Sequence, residues 1–322
     1  MANADFAIVG SGAIGSIIGA HLARAGHTVV MLARAHRAQQ IEQRGLQITG
    51  LATFSQQVRA LTEPSALRSA EVLIVATKTH ATEAALAPLR GTAVGAAFSI
   101  QNGLMKNDQL SDVFGRDRVL GSLADTSGEL LPSGEVLFTR NANIYVGELE
   151  GGLSPRARRI AGTIDASGVR STAAADIESL EWSKFAAWAA MMVLSVTTRA
   201  RTWEYATDPG AALVMARLVR EVGQLADARQ VRLSDQPVLP VESICRGSEA
   251  QAVAAICRVG LALKSSAPEH RMSSLHDLTA GRPLEIEETL GHAVRMAQQC
   301  NLSVPLLSSC YPLAAAIDRV RG

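Results

Sequence analysis

Aromatic side chains are scarce in this chain. Three Trp, three Tyr and six Phe make up 4% of 322 residues, too few for a base-stacking platform. A surplus of one charge is also missing. Lys and Arg number 31 and Asp and Glu 30, for a net charge of +1. That excludes the basic field of a nucleic-acid or anionic-membrane binder. No apolar run reaches membrane-spanning length. The first apolar stretch is broken by glycines, unlike a signal peptide. The four cysteines, Cys245, Cys257, Cys300 and Cys310, have no C-x-x-C spacing. Reduced thiols in a cytoplasmic protein are expected. The seven histidines are scattered without a His-x-x-x-His pair, so no metal site is expected.

What the chain has in quantity is apolar material, 48% of it. Over this length that supports two domains with proper cores. The most informative stretch comes first. Phe6-Ala7-Ile8-Val9 is a short apolar run, and Gly10-Ser11-Gly12-Ala13-Ile14-Gly15 follows it. An amphipathic helix over about 13–25 comes next. Strand, glycine turn and helix in that order are what a dinucleotide phosphate site requires. Gly10 suits the tight turn, Gly12 has no side chain to hold off a pyrophosphate, and Gly15 lets the helix pack closely on the strand. The helix start would offer its free N–H groups to the phosphates. A flexible turn before an ordinary helix is the plainer alternative.

Thr28 to Leu32 is expected to be a second buried strand. Dinucleotide folds that take NAD usually carry an acid at its end. Here the strand ends in Arg34, His36 and Arg37. An arginine can pair with a 2′-phosphate, which favours NADP over NAD. Solvated charges opening a helix would look the same. Glu71 to Ala76 predicts a further strand with Lys78 beyond its end, placed to approach cofactor or substrate or simply solvated. Ala96 to Ile100 predicts another, ending in Gln101-Asn102-Gly103. Asn102 could bond a nicotinamide ribose or a substrate oxygen, or serve only the turn. Residues 118–124, 135–139 and 143–147 alternate like antiparallel strands. The α/β expectation is therefore a Rossmann-type sheet, parallel with an antiparallel edge, over residues 1–175. A helical substrate and dimerisation domain is expected over 176–322, with the active site in the cleft between the two. Its helices are expected at 177–196, 209–228, 248–263, 284–300 and 306–320. No interface patch for a homodimer is identifiable.

In the first of these helices Lys184, Trp188 and Met192 are spaced by four and share a face. A lysine heading an apolar stripe either snorkels to solvent or is held for chemistry. Downstream come Met272-Ser273-Ser274-Leu275-His276-Asp277-Leu278 and Gly281-Arg282-Pro283-Leu284-Glu285-Ile286.

Taken in order along nearly the whole chain, the glycine turn, Arg34, Lys78, Gln101-Asn102-Gly103, Lys184 and the 273–285 segment resemble the ketopantoate reductase (2-dehydropantoate 2-reductase) family. The resemblance implies hydride transfer from NADPH to C2 of a small-molecule 2-oxo acid. It implies that Lys184 is the general acid and that Glu285 orients it or bonds a substrate hydroxyl. It gives Asn102 to cofactor and substrate, and Ser273 to the substrate carboxylate. Without it, Ser273 would be taken as a helix N-cap and Glu285 as a first-turn acid.

The family has asparagines where Trp188 and Met192 stand, and a third near Thr202. These three positions would face the substrate. Exchanging amides for Trp and Met removes polar partners and adds apolar volume, so a more apolar or aromatic 2-oxo acid is expected. A 3-hydroxy-acid or opine-type dehydrogenase and a non-catalytic NADP-binding sensor are the competing readings.

Overall fold

The glycine turn stands where the first strand of the chain hands over to its first helix. The structure is a computed structural model and describes residues 2–320. The elements run β1 (Ala2–Val9), α1 (Ala13–Arg24), β2 (Val29–Leu32), α2 (Ala35–Arg44), β3 (Leu46–Gly50), β4 (Phe54–Gln56), β5 (Arg59–Leu61), β6 (Leu67–Val75), α3 (Thr82–Leu86), β7 (Ala93–Ser99), α4 (Met105–Phe114), β8 (Leu120–Leu130), β9 (Val136–Glu148), α5 (Pro155–Ala166) and β10 (Ser171–Ala174). From there only helices follow: α6 (Ile177–Thr198), α7 (Thr202–Thr207), α8 (Pro209–Ala228), α9 (Val241–Arg246), α10 (Glu249–Ser266), α11 (Ser273–Thr279), a π-helical turn (Glu287–Gly291), α12 (His292–Gln299) and α13 (Pro305–Arg319). The chain forms two compact units, which divide after Glu178.

In the first unit the central sheet has the order β5-β2-β1-β6-β7 and every pair is parallel. Strand β1 alternates between two cores. Phe6 and Ile8 pack on one side of the sheet, and Ala4, Ala7 and Val9 on the other. Burial on both faces explains why this strand is an unbroken apolar run. The chain winds outward from β1 through β2 to β5, then returns to add β6 on the opposite side of β1. This reversal opens a crevice at the carboxyl ends of β1 and β6, the usual ligand position in such sheets. Gly10 ends β1 there, and Thr77-Lys78 follow β6.

The antiparallel strands do not extend this sheet. They build a second one, β10-β9-β3-β4, with β8 paired to β9. The sequence segments 135–139 and 143–147 are one strand, β9, whose pairing with β8 is interrupted by register shifts near Asp125 and Ser127. Beside the irregularity Arg140 donates to both carboxylate oxygens of Asp125.

In the second unit α6 is buried all round from Glu181 to Val196, except at the half-buried Lys184. Such a helix belongs to the middle of its domain. The boundaries of its neighbours follow local chemistry. Asp208 caps α8 by accepting from the Ala211 N–H, with Pro209 in the first turn. Ser248 and Gln251 form a reciprocal capping box on α10. The buried Glu221 of α8 accepts from the N–H groups of Leu306 and Leu307, at the start of α13. There a carboxylate meets free donors and the positive end of a helix. The short helices α7 and α9 are additional to the five expected from the sequence, and α11 begins at Ser273, where a helix start is one reading of the sequence. No helix among the described residues is long and apolar enough to cross a membrane.

Candidate active site

The candidate nucleotide site of the first unit begins with three glycines of different kinds. Gly10 has φ +103°, and a Cβ there would stand 2.8 Å from the Ala76 carbonyl carbon and the Thr77 nitrogen. Only glycine fits. At Gly15 a Cβ would run into the Gly10 carbonyl and meet the Ala76 methyl at 3.0 Å. Gly12 is the reverse case: a Cβ would meet nothing within 4 Å. The turn is thus crowded toward the protein and open beside Gly12, at the start of α1. No side chain caps this helix start, so its first N–H groups remain available to an anion. A dinucleotide pyrophosphate fits this cradle by shape and by donor chemistry.

Arg34 is exposed just beyond β2, at the N-cap of α2, and no acid shares that strand end. Arg37, one turn later, is buried, and burial pushes its guanidinium pKa down. Lys78 is exposed in the loop after β6. That loop is tied to the turn carrying Asn102 through Gln101. The Gln101 amide donates to the Thr77 carbonyl at 2.9 Å, the Thr77 hydroxyl at 3.1 Å and the Thr82 hydroxyl at 2.7 Å, and it accepts from Ser99. Buried Lys106 donates to the carbonyls of Gln101 and Ser122. Asn102 itself is half-buried at the tip.

The second unit holds a candidate site of its own. Trp188 and Met192, on one face of α6, line a small cavity with Ser273, Ser274, Asp277, Leu284, Glu285 and Ile286. Lys184 is half-buried one turn before Trp188 on the same helix. Phe185 stacks on Trp188 with ring centroids 6.4 Å apart. The segment after α11 is turned back by Arg282, which donates to the Asp277 carboxylate and from its backbone N–H to the Asp277 carbonyl, each at 2.8 Å. Gly281 at φ +64° permits the reversal. Glu285 then follows at the cavity edge, just before the π-helical turn. Its carbonyl accepts from the Thr289 hydroxyl. π-Helical turns are rare and frequent at functional sites.

Two polar groups at this cavity stand out. The Trp188 indole N–H and the Ser274 hydroxyl are both buried, with no hydrogen-bond partner among the described residues. Buried polar groups are normally paired.

Not every sequence-derived candidate meets here. Thr202 is buried at the first turn of α7, its hydroxyl lies 2.9 Å from His270 Nδ1, and it is not among the residues lining the cavity. Ser273 is the first residue of α11 rather than its cap, which is Met272. Glu285 precedes the π-helical turn and is not a first-turn acid. Two residues, Ser274 and Lys106, carry no role in the sequence, and a third, Arg37, reads there as a strand-end charge beside Arg34. Ser274 differs from Ser273 only in facing inward. Arg37 and Lys106 look like surface charges until their distant carbonyl partners are known.

A parallel sheet with a glycine turn at its crossover crevice, and a helical unit whose lysine-headed helix lines a cavity with a carboxylate and a serine, define a dinucleotide-dependent oxidoreductase. Residues 6–151 match the family model Ketopantoate reductase PanE/ApbA, and residues 176–318 match Ketopantoate reductase PanE/ApbA C terminal. The chain belongs to the ketopantoate reductase PanE/ApbA family, whose members are oxidoreductases acting on CH–OH groups. It is 28% identical over 315 residues to the 2-dehydropantoate 2-reductase of Archaeoglobus fulgidus, covering 98% of this chain and 96% of that protein. A PanE/ApbA family ketopantoate reductase from Ralstonia eutropha superposes with a TM-score of 0.83 at 23% identity, covering 99% of both chains. A D-mandelate dehydrogenase bound to NADH and anilino(oxo)acetate shares the fold at TM-score 0.83 and 18% identity, again over 99% of both chains.

Proposed function

We propose that this protein reduces a 2-oxo acid to the 2-hydroxy acid with NADPH, and that its substrate carries a more apolar side chain than ketopantoate. The observation behind the reading is the composition of the cavity on α6. Met192, Leu284 and Ile286 supply apolar walls, Trp188 a large ring, and Ser273 and Glu285 the polar edge. The D-mandelate dehydrogenase that shares the fold is named for a 2-hydroxy acid with an aromatic ring, which supports the reading.

A reduced nicotinamide, when bound, supplies the hydride. The chain's own residues do the rest. Gly10 to Gly15 would receive the pyrophosphate, and Arg34 would pair with a 2′-phosphate, with no acid at the strand end to oppose it. Lys78 and Asn102 border cofactor and substrate. The carbonyl oxygen gains negative charge as C2 is reduced. Lys184 stabilises that charge and donates the proton. Glu285 orients the lysine, and Ser273 receives the substrate carboxylate.

The test is NADPH oxidation across a panel of 2-oxo acids by wild type and Lys184→Ala. The expected result is the highest kcat/KM with an aromatic or branched apolar 2-oxo acid. Loss of the lysine should lower kcat by about 10²–10⁴-fold. Ketopantoate as the best substrate would refute the apolar reading. Tight NADPH binding with no turnover by either protein would refute the enzyme reading and favour a sensor.

A further inference from the structure

We infer that Arg37 is a positioning residue for the dinucleotide pyrophosphate: it turns the Ser11–Gly12 peptide so that the Gly12 N–H faces the phosphates, and it places a fixed positive charge behind that N–H. The inference rests on the glycine turn being a dinucleotide site.

Arg37 lies one helical turn after the exposed Arg34, yet it is only 9% exposed. Its Nε donates to the Ser11 carbonyl at 3.2 Å. Its Nη1 donates to the Gly134 carbonyl at 2.7 Å and to the Gln40 side-chain oxygen at 3.3 Å. Its Nη2 donates to the Ser16 hydroxyl at 3.2 Å. All four acceptors are neutral. A buried cation with neutral partners alone is an expensive arrangement for a purely structural tether. A methionine or glutamine would fill the space without that cost.

The Ser11 carbonyl shows what the charge does. It accepts from Arg37 and also from the Ser16 hydroxyl at 3.1 Å. Two donors hold it inward. In a trans peptide the N–H points opposite to the C=O, so the Gly12 N–H is directed away from Arg37. Gly12 is the N-cap of α1, and the space a Cβ would enter there is clear of any atom within 4 Å. An anion placed against that N–H has a guanidinium behind the same peptide. Hydrogen bonds in such a chain polarise one another, and the outer donor is strengthened. Bonds to Gly134 and Gln40 fix the guanidinium on its far side, so the charge does not follow solvent. The phosphates are the counter-anion that the neutral shell lacks.

Titration of NADPH and NADH onto wild type, Arg37→Gln, Arg37→Lys and Arg34→Ala, at low and high salt, tests the inference. Arg37→Gln is expected to weaken both cofactors by the same factor, about tenfold or more at low salt, and to flatten the salt dependence of both. Arg37→Lys should keep the salt dependence and lose less affinity. Arg34→Ala should weaken NADPH alone. Wild-type affinities and salt dependence in a folded Arg37→Gln protein, with only a lower Tm, would mean a structural tether and overturn the inference. If Arg37→Gln does not fold, Arg37→Lys decides: a lost salt dependence despite the retained charge would overturn it equally. Wild type that binds neither cofactor would instead refute the dinucleotide reading beneath it.

Discussion

Replacing Trp188 by phenylalanine separates what its ring does from what its N–H does. In the free protein the substitution has two opposing effects. It removes a buried donor without a partner, a defect of about 1–3 kcal/mol. It also trims buried ring atoms from a residue only 8% exposed, at a cost of about 1–2 kcal/mol in lost burial and cavity. The stacking partner Phe185 keeps a ring to face. The two effects nearly cancel, so the Tm of the free protein should move by no more than a few degrees. With substrate the balance changes. An oxygen in the substrate side chain can accept from the indole N–H, and a neutral hydrogen bond contributes about 0.5–1.5 kcal/mol, or roughly two- to tenfold in kcat/KM. The assay compares two isosteric 2-oxo acids, one with an ether oxygen in its side chain and one with a methylene. Wild type should favour the ether by that factor, and Trp188→Phe should level the two. An equal ratio in both proteins would show that the indole N–H does not meet the substrate.

The glycine turn offers a paired test. Gly10→Ala meets backbone atoms at 2.8 Å with φ +103° and should cost about 2–4 kcal/mol of stability, read as a lowered Tm. Gly12→Ala meets nothing and should leave the Tm within about a degree or two, yet raise the Kd for NADPH by about tenfold or more, because its methyl occupies the open side of the turn. His21 gives a pH dependence. It is buried, with Nδ1 2.8 Å from the Ile17 carbonyl and its ring edge-on to Phe54 and Phe138. Burial, and to a lesser degree Arg24, lower its pKa, while the Ile17 hydrogen bond partly opposes them. The unfolded chain then takes up a proton near pH 6.5 that the folded chain refuses. Its contribution is therefore constant above pH 6.5, and stability falls as pH drops below that value, by at most about 1.4 kcal/mol per pH unit until the lowered folded pKa is reached. Denaturant unfolding of wild type and His21→Leu between pH 7.5 and 5 measures it, and a slope unchanged in the variant would refute the assignment.

Local features were legible in the sequence and distant ones were not. The glycine turn could be read because its glycine spacing lies within six residues, although the Ala76 and Thr77 atoms that crowd Gly10 lie elsewhere in the chain. The long helices could be read because caps such as Asp208-Pro209 and Ser248 are local. The second sheet could not, because β3 joins β9 across a separation of about 90 residues and no local pattern records such a pairing. For the same reason Arg37 was grouped with Arg34 as a strand-end charge: its partner at Gly134 is 97 residues away. The inward turn of Ser274 depends on how α11 is set against the cavity, which the Ser-Ser pair does not encode. The short helices α7 and α9, of six residues each, owe their existence to packing rather than to their own propensity.

Two buried cations of the first unit, Arg37 and Lys106, follow one rule that the cavity of the second unit does not share. Arg37 holds the Ser11 carbonyl and so directs the Gly12 N–H. Lys106 holds the Gln101 carbonyl and so directs the Asn102 N–H, since in each case carbonyl and amide belong to one trans peptide. Both peptides sit in loops that follow strands of the parallel sheet. In each, a buried charge sets the direction of a backbone donor that carries no side-chain identity of its own. A turn built from backbone donors demands few particular side chains at its surface beyond glycine. The cavity on α6 is built the other way. Its lining is made of side chains, among them Trp188, Met192 and Ser274, so a substitution there changes its polarity and volume, whereas the glycine turn presents backbone donors.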